Sequence, residues 1–256
     1  MEKQLPPSDF CLYIENENLS AKEKRMPVDS YAKELGRKTI HILVLILLAV
    51  YFFVAARFGR ETGLLVLVAF LVLGIVFEYL RLEYRLRPPI VSYLWDNLRR
   101  EEEQNVLGAD IFFMLGVIVA LAVYDIRVAT AVILMTTFGD LAAALIGKKY
   151  GKVRPAIFKG KSIEGALVAL LVNFIVGVLF LRTTVDSSVW WVRAFDESGT
   201  LGLSGGFGEP LWLVIVVTSL VSTTVELASS KINDNLTIPL ISGFAGQVTL
   251  LLTRCF

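Results

Sequence analysis

TIHILVLILLAVYFFVAAR (39–57) and ETGLLVLVAFLVLGIVFEYL (61–80) are separated only by Phe58-Gly59-Arg60. Each run is about twenty residues long, enough for a helix rising 1.5 Å per residue to cross roughly 30 Å of hydrocarbon. So short a break makes the two helices antiparallel neighbours. Working outward, the same pattern recurs at 107–124, 127–147, 163–182, 210–229 and 235–253, the 107–124 and 127–147 runs meeting tightly at Asp125 to Arg127. The chain of 256 residues is 55% hydrophobic, above the ~45–50% of soluble domains. It therefore reads as an all-α, polytopic integral membrane protein of about seven transmembrane helices. Residues 1–38 form a polar tail, and the apolar run after them starts too late and is too long for a secretory signal. Residues 39–256 would form a single membrane-embedded domain.

Orientation follows from the positions of Lys and Arg. Of 25 such residues, only Arg57, Arg60, Arg127, Arg182, Arg193 and Arg254 fall on one side of this topology. The rest crowd the tail, the 81–106 segment, the 148–162 loop and the turn at Lys231. The expectation is an N-terminus in the cytoplasm and a C-terminus outside. Within 81–106, VSYLWDNLRREEE (91–103) suits an interfacial helix with Tyr93 and Trp95 at headgroup level. The Gly- and Ser-rich stretch 196–209 reads as an external loop. Cys11 and Cys255 suggest neither a disulfide framework nor a metal site, and a single histidine, His41, excludes a multi-histidine centre. A net charge of +1 gives no reason to expect a nucleic-acid partner; a homo-oligomer is compatible with the sequence.

Several polar residues do not belong in a bilayer. An acid at the centre of a membrane helix costs about 2.5–3.5 kcal/mol on insertion scales. Asp140, in ILMTTFGDLAAALIGKKYGK, lies about 10 Å from the cytoplasmic end of its helix by rise per residue, among the small residues Gly139, Ala142, Ala143 and Gly147. A structural contact between helices is the plain alternative. The loop that follows carries Lys148, Lys149, Lys152, Arg154, Lys159 and Lys161, with Gly147, Gly151 and Gly160 between them, and ends in KSIEG, where Ser162 can cap the next helix. Acid, basic loop and an open helix N-terminus together suit a metal-bound polyphosphate; lipid headgroup attraction is the competing account of the lysines. Glu226 stands near the cytoplasmic end of the sixth span. KINDNLTIP follows, where Asp234 or Asn235 can cap the seventh and Pro239 falls in its first turn or so. Arg37, Lys38 and His41 open the first span. Residues from five separate helices thus converge on the cytoplasmic face.

RKTIH (37–41), LRREEEQNVLGADIFFMLG (98–116), FGDLAAALIGKKYGK (138–152), GKSIEG (160–165) and VELASSKINDNLTIPL (225–240) together resemble the CTP-dependent lipid kinases, the dolichol, phytol and diacylglycerol kinases. The resemblance covers about 34 to 242, in the family's order. The pair GD-x-x-A-x-x-x-G and K-S-x-E-G is also similar to phosphatidate cytidylyltransferases. The R-K-x-x-H start and the E…DN-x-x-IP ending are the kinase-side features. The resemblance implies transfer of the γ-phosphate of CTP to a lipid alcohol, of isoprenoid type first and diacylglycerol next, with Mg²⁺ as cofactor. It implies Asp140, His41 and Lys161 as catalytic and Asp140, Glu226 and Asp234 as metal residues. Arg37, Lys38, Lys148, Lys149, Lys161, Ser162, Glu164, Gly165 and Asn235 would bind nucleotide and phosphate. A CDP-lipid synthase and a transporter are the alternatives; no inverted repeat of the transporter kind is evident.

Overall fold

The computed structural model describes residues 43–84, 107–155, 158, 161–181, 211–229 and 233–255. Among them lie seven helices: α1 (Leu43–Phe58), α2 (Arg60–Tyr84), α3 (Ala109–Val123), α4 (Ile126–Tyr150), α5 (Ile163–Phe180), α6 (Trp212–Ala228) and α7 (Asp234–Cys255). Each expected span has its helix. α2 runs on past residue 80 into its charged end, where Arg81 pairs with Glu78 one turn back at 2.7 Å. Arg37, Lys38 and His41, the 1–38 tail, the 91–103 segment and the 196–209 loop lie outside the described residues.

Four helices are long and apolar enough to cross a membrane: Arg60–Tyr84, Ile126–Tyr150, Ile163–Phe180 and Asp234–Thr253. α1, α3 and α6 are shorter apolar helices. The outward faces carry exposed Leu65, Val72 and Phe77 on α2, Leu167 and Leu171 on α5, and Leu251 and Leu252 on α7. Water would be a poor solvent for this many apolar side chains, whereas lipid tails accept them at no cost. The chain is a multi-pass membrane protein.

α4 is the axis of the bundle. Every residue from Ile126 to Thr137 is buried, because α3, α5, α6 and α7 all pack on this helix. Its most extensive partner is α5, and small residues set their antiparallel register. Gly177 faces Met135, Gly139 faces Asn173 and Gly165 faces Gly147. A Cβ on Gly177 would meet Met135 Cε at 3.2 Å, and one on Gly165 would meet Gly147 Cα at 3.0 Å. Close backbone approach of this kind is how membrane helices gain packing contacts where no hydrophobic effect drives them together.

Two sets of polar contacts lie at opposite ends of the bundle. At one end the α1–α2 turn passes through Gly59, whose φ of +91° is a left-handed conformation that glycine adopts without a Cβ clash. Arg60 donates to the Leu121 carbonyl at 2.6 Å, closing the end of α3. Asp125 caps α4, accepting the Arg127 N–H at 3.0 Å and pairing with its guanidinium. At the opposite end Gly108, before α3, donates its N–H to Glu78 at 3.3 Å, and Asn235 donates to the Ala109 carbonyl at 3.5 Å. The ends of α2, α4 and α6 and the starts of α3, α5 and α7 share this end.

α7 corrects the sequence reading in two details. It begins at Asp234, and Asn233 takes the cap position: its carbonyl accepts the Thr237 N–H at 3.1 Å. Asp234 and Asn235 are therefore first-turn residues and not caps. Pro239 lies inside the helix, in its second turn, where its missing N–H leaves the Asn235 carbonyl without an i+4 donor. Gly116 of α3 packs against that carbonyl; a Cβ there would sit 3.1 Å from the oxygen.

Candidate active site

The basic loop between α4 and α5 folds back on the helix ends that it joins. Ser162 is buried and caps α5, its Oγ accepting the Gly165 N–H at 3.1 Å. Three glycines make room for it. A Cβ would lie 2.7 Å from Ser162 Oγ on Gly147, 2.5 Å on Gly151 and 3.0 Å on Gly165. Of the glycines that read as a phosphate cradle, Gly147 and Gly151 thus admit a serine; Gly160 lies outside the described residues.

The N-terminus of α5 is also less open than the sequence suggests. The Ile163 N–H reaches the Val153 carbonyl at 3.0 Å, and the Gly165 N–H is taken by the Ser162 hydroxyl at 3.1 Å. Glu164 accepts from the backbone N–H groups of Lys152 at 3.0 Å and Val153 at 3.1 Å. Arg154 donates to the Gly147 carbonyl at 3.1 Å, closing the last turn of α4. Ser162, Glu164 and Gly165 are thus occupied in holding the loop, and Asn235 in joining α7 to α3. Lys149 and Lys152 are exposed, and the ammonium of Lys149 lies 5.2 Å from the centre of the Tyr150 ring.

Lys161 ties three segments together. From the residue before the α5 cap, its ammonium donates to the backbone carbonyl of Glu226 at the end of α6. It also lies 3.7 Å from the Asp234 carboxylate at the start of α7. A cation at a helix C-terminus and an acid in a first turn are each favoured by the helix dipole. The lysine side chain keeps about a third of its surface exposed (33%), so water-borne anions can reach it. Glu226 is buried in the last turn of α6, 7% exposed, whereas Asp140, 8% exposed, is buried further in. α4 runs on to Tyr150 and leaves that acid about 15 Å from the helix end by rise per residue, rather than the roughly 10 Å expected.

The three acids expected to share a metal do not form one cluster. Among the described residues no three His, Cys, Asp or Glu side chains gather to hold an ion, and Asp234 is turned to Lys161 instead. One or two carboxylates are nonetheless what magnesium takes from a protein when nucleotide phosphates and water fill its remaining positions. Asp140 and Glu226, both buried carboxylates, are of the donor type that such a metal takes.

Two groups escaped the sequence reading. Asn173, wholly buried in α5, donates its amide to Thr223 Oγ1 at 3.1 Å and Ser222 Oγ at 3.4 Å on α6. Its signal was a lone amide inside the apolar run ALVALLVNFIVGVLF, where a polar side chain needs a partner across the helix interface. Glu78, buried with Arg81 beside it, was visible as an acid near the end of the second span.

No family model matches the chain, and no solved structure does. Among characterised proteins, it is 30% identical over 145 residues to CTP-dependent diacylglycerol kinase 1 of Schizosaccharomyces pombe, covering 57% of this chain and 62% of that one. The same-named protein of Eremothecium gossypii is 27% identical over 218 residues, 82% of this chain and 65% of its own length. An uncharacterized protein of Methanocaldococcus jannaschii is 30% identical over 215 residues, 83% of this chain and 92% of that protein. The chain is distantly homologous to the CTP-dependent polyprenol and diacylglycerol kinases. The family's matches also include a chloroplastic farnesol kinase and a dolichol kinase, so its members differ in the alcohol that they are named for. The chain spans 62% and 65% of the length of these two diacylglycerol kinases and 49% of a third, from Saccharomyces cerevisiae.

Proposed function

We propose that this protein is a lipid-alcohol kinase that moves the γ-phosphoryl group of CTP to a membrane alcohol at the cytoplasmic face. The observation that carries the reading is the Lys161 bridge from the Glu226 carbonyl to Asp234, in a bundle that also buries the carboxylates of Glu226 on α6 and Asp140 on α4. It brings residues remote in sequence to one accessible cation. In the reaction the lipid hydroxyl oxygen attacks the γ-phosphorus, the bond from that phosphorus to the bridging oxygen breaks, and CDP leaves. The hydroxyl proton is lost to water or to His41. Such transfers proceed through a loose transition state and depend on positioning and charge neutralisation more than on covalent help.

Asp140 and Glu226 would hold Mg²⁺, which when bound neutralises phosphate charge. Lys161 exchanges its exposed contact with Asp234 for a phosphate oxygen while its bond to the Glu226 carbonyl keeps it in place. Lys148, Lys149 and Lys152 add positive potential at the rim, and Arg37 and Lys38 steady the group in flight. Glu164, Ser162, Gly165 and Asn235 serve by fixing the loop and the helix starts around the nucleotide. The acceptor we place first is an isoprenoid alcohol, since one hydroxyl on an apolar chain asks little beyond an opening to the bilayer. Diacylglycerol is the second reading, favoured by the names of three fungal relatives.

The test is purified protein in lipid with CTP labelled at either the α or the γ position, offered polyprenol, phytol, farnesol and diacylglycerol in turn. Label in the lipid from γ-CTP alone supports the kinase. Label from α-CTP marks a cytidylyltransferase and rejects it.

A further inference from the structure

We infer that Asn173 is a positioning residue whose side chain fixes the separation of Asp140 and Glu226, and with it the affinity of the site for a metal–nucleotide complex. The inference rests on the kinase reading of those two acids. It begins from an imbalance. Asn173 is 0% exposed; its Nδ2 reaches Thr223 Oγ1 at 3.1 Å and Ser222 Oγ at 3.4 Å, yet its Oδ1 has no hydrogen-bond partner. A buried amide oxygen left unpaired costs stability that a leucine in the same place would not. The explanation lies in what the two ends of the amide touch.

The oxygen end is pressed against Gly139, so closely that a Cβ on that glycine would collide with it. Gly139 is the residue before Asp140. The nitrogen end bonds to Thr223, three residues before Glu226 and on the same face of α6 by helical spacing. Thr223 is held in turn, its hydroxyl donating to the Ser219 carbonyl at 3.0 Å. One planar side chain on α5 thus spans from the backbone beside one buried acid to the turn beside the other. α4 and α6 otherwise meet only sparingly, so α5 supplies the spacer. An apolar residue of the same size would fill the gap without fixing how far α6 slides or turns against α4.

The size match between Gly139 and Asn173 provides the control. Asn173→Ala opens space that the methyl of Gly139→Ala can enter, so G139A/N173A restores packing without restoring the bond to Thr223. The readouts are binding of Mn²⁺ with CTP to the full chain in nanodiscs, followed by electron paramagnetic resonance, and thermal unfolding. Residues that orient metal ligands typically change affinity about 10–100-fold when removed. N173A and T223V are each expected to weaken Mn²⁺–CTP binding by about that factor, with the double variant no worse than either, since both break one bond. G139A/N173A is expected to regain melting temperature while its binding stays weak, which holds even if N173A alone fails to fold. Recovery of wild-type binding by G139A/N173A, or wild-type binding in T223V, would reduce Asn173 to packing and overturn the inference. A wild-type chain that binds no Mn²⁺–CTP would instead remove the kinase reading, and this role with it.

Discussion

Ser162 shows how one buried hydroxyl sets the residues around it. Its Oγ would lie 2.7 Å from a Cβ on Gly147, where every other atom is 3.5 Å or more away. Gly147→Ala is therefore expected to destabilise the protein by about 1–3 kcal/mol, the usual cost of overpacking, and Ser162→Ala in that background should recover part of the loss. Thermal unfolding of the three variants in detergent checks both. Ser162→Ala alone should cost about 1 kcal/mol, the loss of a cap. Lys161 is the residue with work on both sides. Lys161→Met keeps the length of the side chain but loses the bond to the Glu226 carbonyl and the charge beside Asp234. We expect CTP turnover to fall by about 10²–10³-fold, the scale of a lost charge-stabilising donor, and kinetics against CTP concentration measure it.

At the scale of helices, much was legible from length and composition, because a bilayer admits few alternatives to an uninterrupted apolar helix. All seven expected runs have helices, and the cap at Ser162 and the turn at Gly59 were readable from residue type. What needed coordinates was which helix faces which. The glycines after Asp140 look like a nucleotide loop in sequence and prove to be the seat of Ser162, a fact that exists only where α4 meets α5. Asp234 read as a cap and a metal ligand, but α7 starts at that residue and Lys161 takes its carboxylate. Glu78 belongs to this scale too. It joins α2 to the start of α3 through Gly108 and holds Arg81. Glu78→Ala should cost about 3–5 kcal/mol, as when one member of a buried pair is removed, and appear as a lower melting temperature.

For the whole molecule, the gathering of acids and cations at one end of the bundle is the feature that a nucleotide enzyme needs, while the side of the membrane that this end faces comes from the charge count. Lys149→Cys and Glu61→Cys stand at opposite ends of the bundle and are both exposed. With Cys11 and Cys255 replaced by serine, a membrane-impermeant thiol reagent is expected to label the first only in inside-out vesicles and the second only in right-side-out ones. Labelling of both from the same side would break the topology. The most direct measurement of the account as a whole is γ-phosphoryl transfer from CTP to lipid by wild type and Asp140→Asn in the same bilayer, with melting temperature followed in parallel. The account predicts labelled lipid with the wild type and at least ~100-fold less with the variant, at an unchanged melting temperature. Near-normal transfer by Asp140→Asn would contradict it.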